Sequence, residues 1–174
     1  MSPSDFIFRQ ASANEVELVY DIIIQRIKWM DQVGIRQWNV TDYLTRFPLE
    51  YYYEKQRVGE LYVLLEKNLH NNECIVCVAV LKEVDDRWPD DGIKALYLHN
   101  FASLPGLTHR VGDIFLTFAE QTSRQMGKAC FRLDCAVDNT FLNKYYNERG
   151  FVEAGFCTHG LYKGVLRQKW LNEG

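Results

Sequence analysis

The middle of the chain holds three consecutive segments with the composition of β-strands. They read "LYVLLEK", "ECIVCVAVLKEV" and "KALYLHNFAS", and the turn-forming stretches "NLHNN" and "DRWPDDG" separate them. β-Branched and aromatic residues between such turns predict three antiparallel strands. Because helical patterns precede and follow this block, the sequence predicts an α+β (mixed α/β) fold.

Two helices are predicted ahead of these strands, after a first strand at "FIFRQA". Ser12 and Glu15 have the spacing of a capping box, and Gly34 is placed to end the helix that follows. A second, shorter helix is predicted from Pro48 to Gly59, because a proline in a first turn has no amide hydrogen to leave unpaired.

A long amphipathic helix is predicted from "LPGLTHRVGDIFLTFAEQTSRQMGK". The strand "ACFRLDCAV", a helix that Gly150 closes and a final pair of strands follow it. The predicted order is therefore β-α-α-β-β-β-α-β-α-β-β. The apolar stripe of the long helix consists of Leu107, Val111, Ile114, Phe115, Phe118 and Met126.

Composition and charge narrow the class of protein. The chain has 174 residues, 47% hydrophobic and 25% charged, which is typical of one globular domain spanning residues 1–174. A net charge of −3 gives no positive field for phosphate backbones, so we expect no nucleic-acid partner. The start "MSPSDFIFRQ" lacks the pattern of a signal peptide, and no stretch is apolar enough to span a membrane. We expect a cytoplasmic protein with no membrane partner.

The five cysteines all lie in apolar segments, which predicts that they serve as small buried hydrophobic residues. Cys74 and Cys77 form a CxxC pattern, but positions i and i+3 of a strand point to opposite faces of the sheet. A shared redox or zinc site is therefore not predicted there. No cluster of metal-ligand residues appears elsewhere in the sequence, and we expect no metal.

One spacing near the end of the chain is typical of a known superfamily. Tyr146, Gly150 and Phe151 follow Asn139 by seven, eleven and twelve positions. With the preceding "LYLHNFAS", "LTHRVGD" and "CFRLDCAV", this pattern resembles the GNAT superfamily of acetyltransferases, and the order of elements is similar over essentially the whole chain. The resemblance implies a central, mostly antiparallel twisted sheet of about seven strands flanked by about four helices. It also implies transfer of an acetyl group from acetyl-CoA to a primary amine of a small molecule or peptide.

The resemblance places the cofactor at the start of the long helix. A helix N-terminus offers unpaired N–H groups and a positive dipole end to a pyrophosphate. In the family, this turn has Gln or Arg at one position, Gly three residues later, and Gly or Ala two residues after that. The corresponding residues here are Leu107, Arg110 and Gly112, so only the last position fits the pattern. Arg110 in place of glycine crowds close backbone approach to an anion. The cofactor-binding residues implied are Phe101, Ala102 and Ser103 for the pantetheine arm, Thr108, His109, Arg110, Val111, Gly112 and Asp113 for the phosphates, and Asn139.

Tyr146 is the catalytic acid that the resemblance implies. A phenol with an ordinary pKa of about 10 stays protonated at neutral pH and can protonate a leaving thiolate. Tyr145, about 100° around the helix, is predicted to be the packing residue of the pair, on an apolar face with Phe141 and Leu142. The alternative is that both tyrosines only pack.

His99 is the candidate general base. On the strand "YLHNF", Tyr97, His99 and Phe101 are predicted to share one face, and His99 is the side chain there that titrates near neutrality. An alkylamine must lose a proton before it can attack. The alternative is a histidine that is simply satisfied within the core.

The acceptor site implied by the resemblance lies over the two N-terminal helices and the loop between them. That region carries Trp29, Trp38 and the tyrosines 51 to 53, and we take Trp29, Trp38 and Tyr52 as candidate substrate-binding residues. An aromatic wall suits a cation or an apolar amine. The alternative is that these rings cover the sheet.

Two other functions fit the same residues. The departures at Leu107 and Arg110 favour a catalytically inactive GNAT-like module that binds an acyl-CoA or a metabolite and acts in regulation. The final strands could instead pair with a second copy of the chain in an interaction protein, and a homodimer is compatible with catalysis as well.

Overall fold

A computed structural model describes residues 5–68, 70, 72–107 and 110–171. Seven strands and five α-helices are present in these ranges. The strands are β1 (Phe6–Gln10), β2 (Leu61–Lys67), β3 (Glu73–Lys82), β4 (Ala95–Ser103), β5 (Cys130–Ala136), β6 (Val152–His159) and β7 (Tyr162–Trp170). The helices are α1 (Val16–Val33), α2 (Tyr43–Arg46), α3 (Leu49–Arg57), α4 (Val111–Gln125) and α5 (Thr140–Glu148).

The strands form one sheet in the order β1-β2-β3-β4-β5-β7-β6. Every neighbouring pair is antiparallel except β4 and β5, which are parallel. The predicted α+β fold with a mostly antiparallel sheet is confirmed. The additional helix is α2, a single turn within "TDYLTRF" that the sequence pattern did not define.

β4 and β5 separate after a short paired region. Ala95–Tyr97 pair with Cys130–Arg132, and no pairing between the two strands continues beyond these residues in the described chain. The other edge of β4 stays paired with β3 up to Ser103, and β5 stays paired with β7 up to Ala136. A gap therefore opens between two otherwise well-held strands, and backbone groups of β4 that face it are left for other partners.

Asn100 creates a bulge in β4 at the point where the gap opens. It has a φ of 53°, and the pairing with β3 shifts register nearby, between Val78 and Val80. The extra residue changes the alternation of side chains along the strand. Tyr97 packs beneath Trp88, whereas Phe101 packs in the core below α4. The prediction that Tyr97, His99 and Phe101 share a face is therefore wrong.

The helices cover the two faces of the sheet separately. α4 and α5 bury their apolar residues in one core cluster with Leu96 and Leu98 of β4. α1, α2 and α3 bury theirs in a second cluster with Val78 and Val80 of β3. No helix in the described part of the chain is both long and apolar enough to cross a membrane.

The predicted helix boundaries follow the sequence signals closely. The capping box of Ser12 and Glu15 is present, and Gly34 ends α1 with a φ of 74°. Pro48 precedes α3 as its N-cap residue. Leu107 and Met126 were predicted on the apolar stripe of α4, but Leu107 lies before the first helical residue, and Met126 lies after the last one and is exposed.

The cysteines are free thiols in differing environments. Three of them are buried as predicted, Cys157 is partly buried, and Cys74 is exposed. The prediction was wrong for Cys74, which is the second residue of β3 and is exposed. The expectation that Cys74 and Cys77 lie on opposite faces is also wrong, because the pairing of β3 with β2 shifts register between Ile75 and Cys77 and so interrupts the alternation.

Candidate active site

The gap between β4 and β5 continues into a cleft of about 540 Å³. The cleft runs from the loop after α1, across the gap, to the start of α4 and one side of α5. Most of the predicted site residues line it. These are Trp29, Trp38, His99, Phe101, Ala102, Ser103, Arg110, Val111, Gly112, Asp113, Asn139 and Tyr146. Thr108 and His109, also predicted, lie outside the described residues.

Tyr146 points from α5 into the core at the edge of this cleft. Its side chain is only 5% exposed and packs edge-on against Phe151, with ring centroids 5.6 Å apart. Burial raises the pKa of Tyr146 well above its usual value, and the nearby Cys135 thiol adds to this. No described residue forms a hydrogen bond with its hydroxyl. The hydroxyl is therefore a protonated donor with no hydrogen-bond partner in the described part of the chain, and Tyr146 lines the cleft.

Tyr145 has a different role from the one predicted. Tyr146 is the buried residue of the pair, whereas Tyr145 is partly exposed and its hydroxyl donates a hydrogen bond to Asp113 at the start of α4. The Arg110 guanidinium lies 5.6 Å from the centre of the Tyr145 ring. The face of α5 that carries Tyr145 lies against the charged start of α4. A tyrosine suits this position because its ring can pack while its hydroxyl forms a hydrogen bond. Phe141, also predicted to pack, is 75% exposed.

The first turn of α4 lines the cleft. Arg110 is the N-cap residue, and its side chain makes no capping hydrogen bond. The backbone N–H groups of such a turn have no intrahelical acceptor. Arg110 is 74% exposed, and its Nε lies 2.8 Å from Asp113. The Asp113 amide donates to the Arg110 carbonyl at 3.0 Å, whereas the Val111 and Gly112 amides have no acceptor among the described residues. These two amides and the exposed guanidinium of Arg110 fit an anion.

Asp113 adds a negative charge to the same turn. Arg110 pairs with its Oδ2, and Arg149 donates to its Oδ1 at 3.1 Å. Arg149 also pairs with Glu120 at 3.6 Å, and Lys169 pairs with Glu120 at 2.8 Å. Three cations therefore surround two carboxylates, and the local charge remains positive. Position 112 has room for a side chain, since a Cβ added to Gly112 would lie at an ordinary contact distance of 3.5 Å from the Phe101 ring. Steric crowding in this structure therefore does not require a glycine there.

The edge of β4 that faces the gap can accept an extended ligand at some of the predicted positions, but not at all three of them. Phe101 and Ala102 lie along the gap. The Ser103 carbonyl, however, already accepts hydrogen bonds from Arg26 Nη2 at 2.6 Å and Nε at 2.9 Å. Of the three predicted pantetheine positions, Ser103 therefore has its carbonyl occupied by protein.

Asn139 caps α5 as predicted. Its Oδ1 accepts a hydrogen bond from the Leu142 amide at 3.0 Å. Its Nδ2 donates to Gln37 Oε1 at 3.3 Å, so it also connects α5 with the loop that follows α1. This contact bridges the cleft between its two walls.

His99 lies in the cleft with a partner that the sequence did not reveal. Its Nε2 is 2.8 Å from Oδ2 of Asp85, on the segment after β3. Two further residues missed by the sequence, Arg87 and Asp134, form an ion pair at 2.9 Å in the same wall. Asp85 and Arg87 sit in the turn "DRWPDDG" and its flank, where acidic and basic residues are usually solvated, so no sequence signal distinguished them.

Asp85, His99 and Asp134 each present a ligand-type atom within 4.8 Å of the others. A metal ion could use such a spacing. Here the Arg87 guanidinium pairs with Asp134 and the His99 ring pairs with Asp85, so protein groups already satisfy both carboxylates. The donor set therefore matches an ion-pair network better than a metal centre.

The acceptor side of the cleft is aromatic. The Trp38 ring packs on Tyr43 with centroids 4.3 Å apart, and the Arg26 guanidinium lies 4.6 Å from the centre of the Trp29 ring. Tyr52 does not belong to this wall, contrary to the prediction. It is fully buried in the core below α1, and its hydroxyl lies 3.1 Å from that of Tyr43.

Asn100 ties the bulge of β4 to these aromatic residues. Its Nδ2 donates to the Tyr43 hydroxyl at 2.6 Å, and its Oδ1 accepts from the Tyr51 hydroxyl at 2.9 Å. Burial raises the pKa of Tyr43 to about 12, so this hydroxyl stays protonated within the network. The asparagine thus fixes both its own unusual backbone conformation and the wall that faces His99.

Comparison with known proteins supplies the class of fold. No family model matches the chain, and the search of curated proteins gave no match. Among solved structures, an acetyltransferase of the GNAT family from Listeria monocytogenes has a TM-score of 0.78 at 23% identity, over 95% of this chain and 94% of that one. The PaiA N-acetyltransferase from Thermoplasma acidophilum, in complex with coenzyme A, has a TM-score of 0.71 at 17% identity, over 98% and 99%. YncA from Salmonella typhimurium, with its cofactor acetyl-CoA, has a TM-score of 0.57 at 16% identity, over 98% and 96%.

The chain therefore has the fold of the GNAT-family acetyltransferases, as the sequence pattern predicted. Two of the structures that share this fold contain coenzyme A or acetyl-CoA.

Proposed function

We propose that this chain is an acetyl-CoA-dependent N-acetyltransferase that modifies a primary amine of a small molecule or peptide by direct attack. One observation carries the proposal: Tyr146, the gap between β4 and β5 and the start of α4 share a single cleft. A thioester donor with an anionic diphosphate needs a proton donor, an extended groove and an anion site in this combination.

The residues present fit acetyl-CoA. Val111 and Gly112 would offer backbone N–H groups to the diphosphate, with Arg110 adding a positive side chain. The edge of β4 at Phe101 and Ala102 would accept the extended arm. Thr108, His109 and Asp113 remain part of the proposed phosphate site on the strength of the sequence pattern alone. Asn139 would contact the arm from the opposite wall.

When bound, acetyl-CoA supplies an activated acetyl carbon, which bonds to the acceptor nitrogen as the C–S bond breaks and the electron pair leaves with sulfur. Tyr146 donates its hydroxyl proton to that sulfur, since burial keeps the hydroxyl protonated. His99 accepts a proton from the acceptor nitrogen at a ring nitrogen. An ammonium acceptor loses two protons in all: one restores Tyr146 and the other leaves to solvent.

The acceptor would enter along the aromatic wall of Trp29 and Trp38, which suits an alkylamine or its cation. A second function, the inactive regulatory module that binds an acyl-CoA or metabolite, is favoured by Leu107 and Arg110, which depart from the family pattern of the phosphate turn. The two functions differ in whether acetyl transfer occurs at all.

A screen of amines tests the proposal. Primary alkylamines, polyamines and peptides with free N-termini are incubated with protein and acetyl-CoA, and both thiol release and acceptor mass are measured. We expect thiol release with a matching mass increase for at least one class, and its loss in Tyr146→Phe. Binding of acetyl-CoA without transfer to any amine would favour the regulatory module. No binding would contradict both functions.

A further inference from the structure

Asp85 is a buried carboxylate that faces His99 in the cleft. Its side chain is 2% exposed, and its Oδ2 lies 2.8 Å from His99 Nε2. Burial raises the pKa of Asp85, but the hydrogen bond from His99 and the nearby positive charges more than offset this and hold the pKa at about 2. The carboxylate is therefore ionised at neutral pH, and an ionised carboxylate can only accept hydrogen bonds.

This contact decides which nitrogen of His99 carries the hydrogen. Because Asp85 cannot donate, Nε2 must be the protonated nitrogen. In a neutral imidazole the other nitrogen then has a free lone pair. No described residue forms a hydrogen bond with Nδ1, and the ring lines the cleft. Nδ1 is thus the basic atom available to a molecule bound there.

Asp85 is itself held in place from several sides. Its Oδ1 accepts from the Arg87 amide at 3.1 Å, so both carboxylate oxygens have partners. Its carbonyl accepts from the Trp88 amide at 3.2 Å. The Trp88 ring in turn lies 4.4 Å from the guanidinium of Arg132, a residue of β5 that is 1% exposed. The turn that carries Asp85 is therefore anchored to the sheet.

Other charged and titratable groups share the cleft with His99, and they are largely paired with each other. Arg87 pairs with Asp134. Burial and the Asp134 carboxylate raise the pKa of the Tyr162 hydroxyl beside it. The groups that line the cleft come from several elements: Arg87 from the segment after β3, Asp134 from β5, Tyr162 from β7, Tyr43 and Arg46 from α2, Arg26 from α1, Arg110 and Asp113 from α4, and Tyr145 and Tyr146 from α5.

We propose that Asp85 is a positioning residue that holds His99 with Nε2 protonated and turns Nδ1 toward the acceptor amine. The catalytic part of this inference rests on the proposed function. The proton moves from the acceptor nitrogen to Nδ1, the hydrogen on Nε2 stays there, and the ionised Asp85 pairs with the imidazolium that forms. No proton passes to Asp85.

Asp85→Asn tests the inference, with Asp86→Asn as a matched control. Asp86 is the next residue, is exposed, and loses the same charge on substitution. Histidine ¹⁵N NMR at slightly alkaline pH reports the tautomer without any ligand, and the signal of His99 among the four histidines is assigned by its absence in His99→Gln. Turnover and the KM for acetyl-CoA are measured on the same proteins, and melting temperature checks folding.

We expect His99 to be protonated on Nε2 in the wild-type protein and in Asp86→Asn, and to lose this preference in Asp85→Asn. Turnover should fall roughly tenfold or more in Asp85→Asn, with little change in the KM for acetyl-CoA, and should recover in part in Asp85→Glu. A wild-type His99 protonated on Nδ1, or an Asp85→Asn protein with unchanged tautomer and turnover, would overturn the inference. Absence of acetyl transfer in the wild-type protein would contradict the catalytic part of the inference. The tautomer of His99 would still show whether Asp85 holds Nε2 protonated.

Discussion

Tyr146 and His99 approach the gap between β4 and β5 from opposite faces of the sheet. His99 lies opposite Val80 of β3 in an antiparallel pair, and such residues share a face. Val80 belongs to the core beneath α1, whereas Tyr146 belongs to the core beneath α4. The proposed proton donor and the proposed proton acceptor thus line one cleft from different sides of the sheet. This is the arrangement that transfer between a donor arm and a separate acceptor requires.

Tyr146→Phe should lower turnover at least tenfold while leaving the melting temperature nearly unchanged. The substitution removes only a hydroxyl that has no described protein partner, so little stability is lost, whereas tenfold in rate corresponds to about 1.4 kcal/mol of transition-state stabilisation. Tyr53→Phe is the control, because Tyr53 bonds to Glu17 at 3.2 Å and lies away from the cleft. If Tyr146→Phe turned over as fast as the wild-type protein, Tyr146 would not be the catalytic acid.

Asn100→Ala should be more destabilising than Asn100→Gly. Both variants lose the hydrogen bonds to Tyr43 and Tyr51, but glycine adopts the φ of 53° without strain and alanine does not. We expect about 1 kcal/mol more loss in the unfolding free energy for alanine, measured by denaturant titration. Equal stability of the two variants would mean that the bulge relaxes when the asparagine is removed.

The sequence predicted the elements of this fold well because its local signals agree. The capping box at Ser12, the glycines after α1 and α4, and the strand compositions all specify single elements. The bulge at Asn100 carries no such signal, since asparagine in a strand also occurs without a bulge. Its consequence, that His99 and Phe101 face different sides, could not be read from alternation.

Residues of the candidate site could be predicted where they belong to a sequence motif. Residues that reach the site only through tertiary contacts could not. Tyr146 and Asn139 follow from the spacing of a resembling family. Asp85 lies beside a turn in which charged residues are expected to be exposed to solvent. Its contact with His99 forms only in the folded chain. Tyr145 was misassigned for a related reason: its hydroxyl partner, Asp113, is 32 residues away in the chain.

Glu15→Gln should destabilise the protein at neutral pH but not at low pH. Hydrogen bonds from Arg9 lower the pKa of Glu15 from 4.5 to about 2 in the folded state. A depressed carboxylate pKa contributes stability above the unfolded value, and this is lost as pH falls through the folded value. The difference in melting temperature between the two proteins should therefore shrink as the pH falls from about 5 toward 2. A constant difference across that range would show that packing, and not charge, explains the effect.

Arg110→Gln should weaken binding of acetyl-CoA. An exposed guanidinium at an anion site contributes roughly 1 kcal/mol, so we expect about a fivefold higher Kd by calorimetry, with a smaller effect at high salt. Arg124→Gln is the matched control, since Arg124 lies in the last turn of the same helix, away from the cleft. Equal affinities for the two variants would place the phosphates away from Arg110.

A crystal structure of the protein with coenzyme A would show where the acetyl donor binds. We expect the diphosphate at the first turn of α4, the arm along β4 in the gap, and the sulfur within about 4 Å of the Tyr146 hydroxyl. A coenzyme bound elsewhere, or a Tyr146 hydroxyl directed away from the sulfur, would contradict the proposed function.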